Sequence, residues 1–178
     1  MYRRTAVIAV AACLTSIALA AHAMSGGGGH IDVQGSASPA LGSFSFESSD
    51  VKVSESDGKV IFVTNLGGMK MGLRKSHCHE AFEVPKHPNA KLTVDKSKLK
   101  IPAAGATEKG SVQGELTLHG VTKPVTVKYT ATGEGNGYKV GGSFTFKYED
   151  FKVSKICKVG VCVDPAVNVT VKDVHVNG

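Results

Sequence analysis

The side chains best suited to chemistry in this 178-residue chain cluster near its middle. Met69-Lys70-Met71, His77-Cys78-His79 and His87 place thioether, thiol and imidazole donors within nineteen residues. Such a set suits copper or zinc. The spacing works against a site, however, because only positions three or four apart share a helical face and His77 and His79 diverge. No metal ligand is assigned, and His77, Cys78 and His79 stand as the weak alternative. His119 adjoins Gly120 in a turn, where an imidazole is expected to hydrogen-bond rather than catalyse. No Ser-His-Asp arrangement, acid pair or phosphate-cradling glycine loop accompanies it, so the chain reads as non-enzymatic with no catalytic residue. Cys157 and Cys162 bracket Lys158-Val159-Gly160-Val161, a spacing that suits a hairpin loop and, in an oxidising compartment, a disulfide. Cys78 is then the odd thiol, either buried or open to intermolecular pairing or metal.

The elements that must carry these residues are strands. An apolar fraction of 42%, with 21 Gly, 6 Pro and no Trp, describes one all-β domain with many turns and a sizeable core. Phe44 and Phe46 share one parity, Val51 and Val53 another, and Asp57-Gly58 precedes the run Val60-Phe62-Thr64-Leu66. Val112, Leu116 and Leu118 lie on one face of a strand, and Val125, Val127, Tyr129 and Ala131 on one face of the strand returning from the turn at Gly120 to Pro124. Tyr138, Val140, Gly142, Phe144, Phe146 and Tyr148 keep one parity after the glycine-rich turn at 133–137, as do Val163, Pro165, Val167, Val169 and Val171 further on. Only Gly72 to Phe82 breaks the rhythm and predicts a short helix or ordered loop. The pattern is a meander that closes into a barrel or folds into a sandwich.

Residues 1–23 read as a secretory signal peptide: Arg3 and Arg4, an apolar run from Thr5 to Ala20, then Ala21-His22-Ala23. The run is short for a spanning helix, so no transmembrane anchor is expected in the mature chain. Val10-Ala11-Ala12-Cys13 resembles a lipoprotein box, but the apolar sequence continuing beyond Cys13 argues against lipidation there. The expected location is periplasmic or secreted. Residues 24–41 read as a flexible Gly-rich leader with a short first strand, and 42–178 as the barrel domain. Removing the leader lowers the formal charge from +6 by the two arginines. The remaining lysines alternate along strands without interleaved aromatics, so no nucleic-acid partner is expected.

Leu116-Thr117-Leu118-His119-Gly120-Val121-Thr122-Lys123-Pro124-Val125 closely resembles the signature hairpin of the YceI-like family of secreted bacterial proteins. Arg74-Lys75-Ser76-His77, followed by Ala81-Phe82-Glu83-Val84-Pro85-Lys86-His87-Pro88, is similar to that family's Arg-x-x-His helix and its Phe-Phe-Asp-Val-x-Lys-Tyr-Pro segment. The matching positions are Arg74, His77, His119, Gly120, Thr122, Lys123 and Pro124. His87 stands where the pattern has Tyr, and Cys78 where it has Leu. The stretch from His30 to Leu41 is short and irregular for a first strand. The resemblance implies an extended lipocalin-like antiparallel barrel of about eight strands with one short helix, and the departure at His30 to Leu41 makes its N-terminal strand degenerate in this chain. It implies no catalytic constellation and no cofactor beyond a bound isoprenoid or other lipid.

The implied function is an exported binding protein for an apolar or amphiphilic molecule, isoprenoid or fatty-acid-like, held in the barrel. Leu116, Leu118, Val125, Val127, Tyr129, Phe144 and Phe146 are the side chains expected to line the ligand site; otherwise they pack on one another and fill the barrel. Gly114 and Gly142, on the same parity, either leave room inside or mark bulges. The rival reading is a filled barrel working through its surface, as a copper- or zinc-binding protein or as an accessory to a membrane complex. Oligomeric state is open, a dimer among the options.

Overall fold

The computed structural model describes residues 23–38, 42–72, 75–158 and 160–178. Residues 1–22 of the predicted signal peptide, Cys13 among them, and Arg74 lie outside these residues. The strands are β1 (Ser25–Gly27), β2 (His30–Ser38), β3 (Gly42–Ser48), β4 (Val51–Ser56), β5 (Lys59–Asn65), β6 (Asn89–Asp95), β7 (Thr107–Leu118), β8 (Val121–Glu134), β9 (Gly137–Lys147), β10 (Cys157–Lys158), β11 (Val161–Val163) and β12 (Ala166–Asn177). Among the described residues a single α-helix, α1 (Lys75–Ala81), falls where the alternation fails.

Eight strands close antiparallel in the order β1-β4-β5-β6-β7-β8-β9-β12, and β12 returns to β1. Beyond Gly29 the first strand resumes as β2, which lies between β12 and β3, and β11 pairs with its far end. The glycine run expected to be a flexible leader is therefore the seam of the barrel. Ser25–Gly27 pairs with Asn177–His175 on one side and with Ser54–Lys52 on the other. The backbones approach so closely that a Cβ on Gly26 would collide with the His175 carbonyl oxygen, and one on Gly27 with that of Val51. Glycine is required there for its missing side chain.

Alternation sets the inner face as expected. Along β7, Val112, Gly114, Leu116 and Leu118 are buried, and along β8, Val125, Val127, Tyr129 and Ala131. The parity of β12 changes once. Val171 lies opposite Gly142 and Val174 opposite Val140, so two residues bulge at Lys172-Asp173, the latter at φ 53°. The bulge returns Val174 and Val176 to the interior, where both are buried. Two apolar clusters result: one built on β6 to β9, the other on Met24 and on β2, β4, β5 and β12. Val33, Leu99, Val140, Phe144 and Phe146 touch both.

Candidate functional site

The interior between these clusters is not filled. A continuous cavity of about 720 Å³ runs through the barrel, with a predominantly apolar lining. Its size lies in the usual range of small-molecule sites. Six of the seven expected lining residues face it: Leu116, Leu118, Val127, Tyr129, Phe144 and Phe146. Val125 is buried in the cluster on β6 to β9 but is not part of the cavity wall. Phe144 and Phe146 are only half-buried although their neighbours Thr145 and Lys147 point outward to solvent, because their rings border empty interior space. Of the two glycines on the inner face, Gly142 borders the cavity, whereas the space above Gly114 is taken by Leu92 and Val94.

Sequence periodicity did not reveal three further parts of the wall. The first is the 96–106 segment. β6 pairs with β7 only over Lys91–Val94, and the chain crosses the remaining opening with Lys100, Ile101 and Pro102 on the cavity. The Lys100 N–H donates to the Tyr129 hydroxyl at 2.8 Å, tying this segment to β8. The second part is α1, which contributes His77, Cys78 and Ala81. The third is the β10–β11 hairpin, where Cys157 lies opposite Cys162 and the two form a disulfide, as expected. Met24, Met69 and Met71 also line the cavity, adding adaptable thioether surface.

The signature hairpin is a two-residue turn with His119 at φ 50° and Gly120 at φ 73°, the positive pair that a type I′ hairpin requires. The Thr117 and Thr122 hydroxyls lie 2.9 Å apart across the strands. Lys123 and Pro124 are exposed on β8 before Lys128, where pairing with β9 begins. His119 Nδ1 donates to the Phe151 carbonyl at 3.1 Å. It therefore pins the turn to the 3-10 helix Tyr148–Phe151, whose Tyr148 and Phe151 are each only 1% exposed. Burial pushes the Tyr148 hydroxyl above its ordinary pKa, and that hydroxyl donates to the Val163 carbonyl at 2.9 Å.

His77, Cys78 and His79 do not bring three ligand atoms together. Among the described residues, the group that does is Glu83, His87 and His119, with donor atoms within 4.8 Å of one another. The four-residue spacing of Glu83 and His87 was available as a signal, but the approach of His119 was not. The Lys86 ammonium holds the Glu83 carboxyl below the usual carboxylate range, with smaller contributions from His119 and His87.

The YceI-like domain model matches residues 16–174. The chain belongs to the YceI-like family. Among curated YceI-like relatives of this chain, UPF0312 protein PSPA7_0523 of Pseudomonas paraeruginosa is 35% identical over 120 residues, which is 63% of this chain and 59% of the relative. UPF0312 protein PA0423 of Pseudomonas aeruginosa is 34% identical over the same shares. The matched region thus spans about three fifths of these relatives. The same barrel is found in a polyisoprenoid binding domain from Saccharophagus degradans, described as implicated in plant cell wall breakdown. That structure has a TM-score of 0.68 and 15% identity, covering 86% of this chain and 96% of that one. BcnA of Burkholderia cenocepacia follows with a TM-score of 0.57 and 17% identity, covering 83% and 96%. At such identities the likeness shows the YceI-like fold alone.

Proposed function

We propose that this YceI-like protein is an exported, non-catalytic carrier that holds a long-chain apolar or amphiphilic molecule, isoprenoid or fatty-acid-like, inside its barrel. The observation that carries the reading is the continuous apolar cavity of about 720 Å³. Each methylene moved from water into such a lining contributes about 0.8 kcal/mol, so a long tail binds without a single dominant polar contact. The Saccharophagus degradans neighbour, a polyisoprenoid binding domain by description, supports the ligand class.

Export is supported by the leader and by the first described residues. Met24 N–H donates to Glu55 Oε2 at 2.8 Å, and the Lys96 ammonium lies 2.8 Å from the same oxygen. Cleavage after Ala23 would make that Met24 nitrogen an ammonium facing a carboxylate. No helix of the described residues is long and apolar enough to cross a membrane.

Native mass spectrometry of the protein expressed in a bacterial periplasm tests the carrier. A co-purified lipid mass, or saturable uptake of isoprenoid quinones or fatty amphiphiles, is expected. A protein that keeps only its bare mass and refuses both ligand classes on titration overturns it.

A further inference from the structure

At the end of the barrel that carries α1 and the signature turn, three segments converge outside the cavity wall. The His87 N–H donates to the Glu83 carbonyl at 2.9 Å, closing a tight turn in which Glu83 stands at φ 44° and which brings the two side chains together. From the facing hairpin, His119 lies with its ring centroid 5.0 Å from that of His87 at 76°. The His87 ring covers Gly120 so closely that a Cβ there would stand 2.9 Å from His87 Cε1.

The protonation pattern of His119 follows from its partners. A carbonyl can only accept, so Nδ1 carries the proton donated to Phe151, and Nε2 is the nitrogen left to bind an ion. That Nε2 is fully buried, has no hydrogen-bond partner, and lies 3.6 Å from Glu83 Oε2. An imidazole oriented by a backbone carbonyl on one nitrogen, with the other directed at a carboxylate and a second imidazole, has the arrangement of a metal ligand with its outer support.

We propose that Glu83, His87 and His119 form a divalent-cation site, with zinc the preferred ion. Two imidazoles and one carboxylate are a tetrahedral zinc set that leaves a fourth position for water. With bonds of about 2.0–2.1 Å, such an ion sets its donors roughly 3.4 Å apart. The Glu83–His119 pair already stands near that spacing, and the half-buried His87 completes it by rotation. The ion would join the segment carrying Val84, which lines the cavity, to the β7–β8 turn, and through the Phe151 carbonyl to the chain after β9. Lys86 is the internal competitor: its ammonium lies 3.3 and 3.2 Å from the two Glu83 oxygens while the side chain is 71% exposed.

Calorimetry with zinc alone on the untagged, chelator-treated full chain, together with cobalt(II) absorption spectra, tests the site. One zinc per chain is expected, with a four-coordinate cobalt spectrum free of thiolate charge transfer. Glu83→Gln and His87→Tyr should each weaken zinc by about tenfold or more, Tyr being the residue of the family segment and so compatible with the fold. Lys86→Gln, at an exposed position that leaves all three ligands in place, should tighten zinc several-fold. Absence of zinc binding, or affinity unchanged in both ligand variants, overturns the proposal. So does a thiolate-to-cobalt band lost in Cys78→Ser, which would move the ion to the helix.

Discussion

Two side chains show how single groups hold the cavity wall. Glu55, with its side chain only 14% exposed, accepts from both Lys96 and Met24. The Lys96 ammonium, and then the Met24 N–H, hold its pKa below the ordinary carboxylate value against the opposing effect of burial. A depressed folded-state pKa contributes stability above the unfolded value, about 4.3 for Glu, and that contribution is lost as pH falls through the folded value. Urea midpoints of the wild type and Glu55→Gln should therefore differ most at neutral pH, with the wild type higher, and converge as the solution is acidified below the carboxylate range. A constant gap down to strong acid would contradict this. Tyr129 acts through its hydroxyl. Tyr129→Phe leaves the Lys100 N–H unpaired beneath the 96–106 crossing, which should cost about 1–3 kcal/mol. Protease cleavage within 96–106 should accelerate more than cleavage elsewhere, and denaturation with limited proteolysis measures both effects.

At the scale of elements, the barrel depends on a three-residue strand. Gly26→Val places a branched side chain where the His175 carbonyl stands. It is expected to part β1 from β12, lower the melting temperature and expose the amides of Lys52–Ser54 and His175–Asn177 to hydrogen exchange. Protection at those amides equal to the wild type would contradict that assignment. Strands β4, β5 and β7 to β9 were legible because alternating side chains report the inner face directly. β1 was not, since glycine carries no side chain to alternate and its pairing resides wholly in backbone groups. The bulge at Lys172-Asp173 was hidden for a related reason: the Val163 to Val171 parity is intact, and only pairing with Gly142 and Val140 shows where it shifts. The cavity-facing hairpin residues were legible as an inner face, but whether that face met side chains or empty space depends on the whole closed wall. That distinction separated Val125 from Val127. The convergence of Glu83, His87 and His119 joins positions that only the folded β7–β8 turn brings together.

At the scale of the molecule, the barrel encloses unfilled space that can be reduced without breaking its wall. Ala131 faces the cavity from a strand paired on both sides at this position. Ala131→Phe directs an aromatic ring into unfilled space, so it should cost less than the roughly 1–3 kcal/mol of overpacking a filled core. Uptake of a fluorescent long-chain amphiphile should fall by about tenfold, the equivalent of about 1.4 kcal/mol of lost burial. Undiminished uptake would place the ligand elsewhere. The closing seam also orders events in time. Because β1 stands between β4 and β12, a chain from which β12 has not yet emerged can form the central hairpins but cannot seal the wall. Joining β1 to β12, so far apart in sequence, carries a large loop-closure cost, which slows folding. Until that final step two sheet edges remain open to pairing with other chains, so the vulnerable interval of this protein's life is the one before β1 and β12 meet.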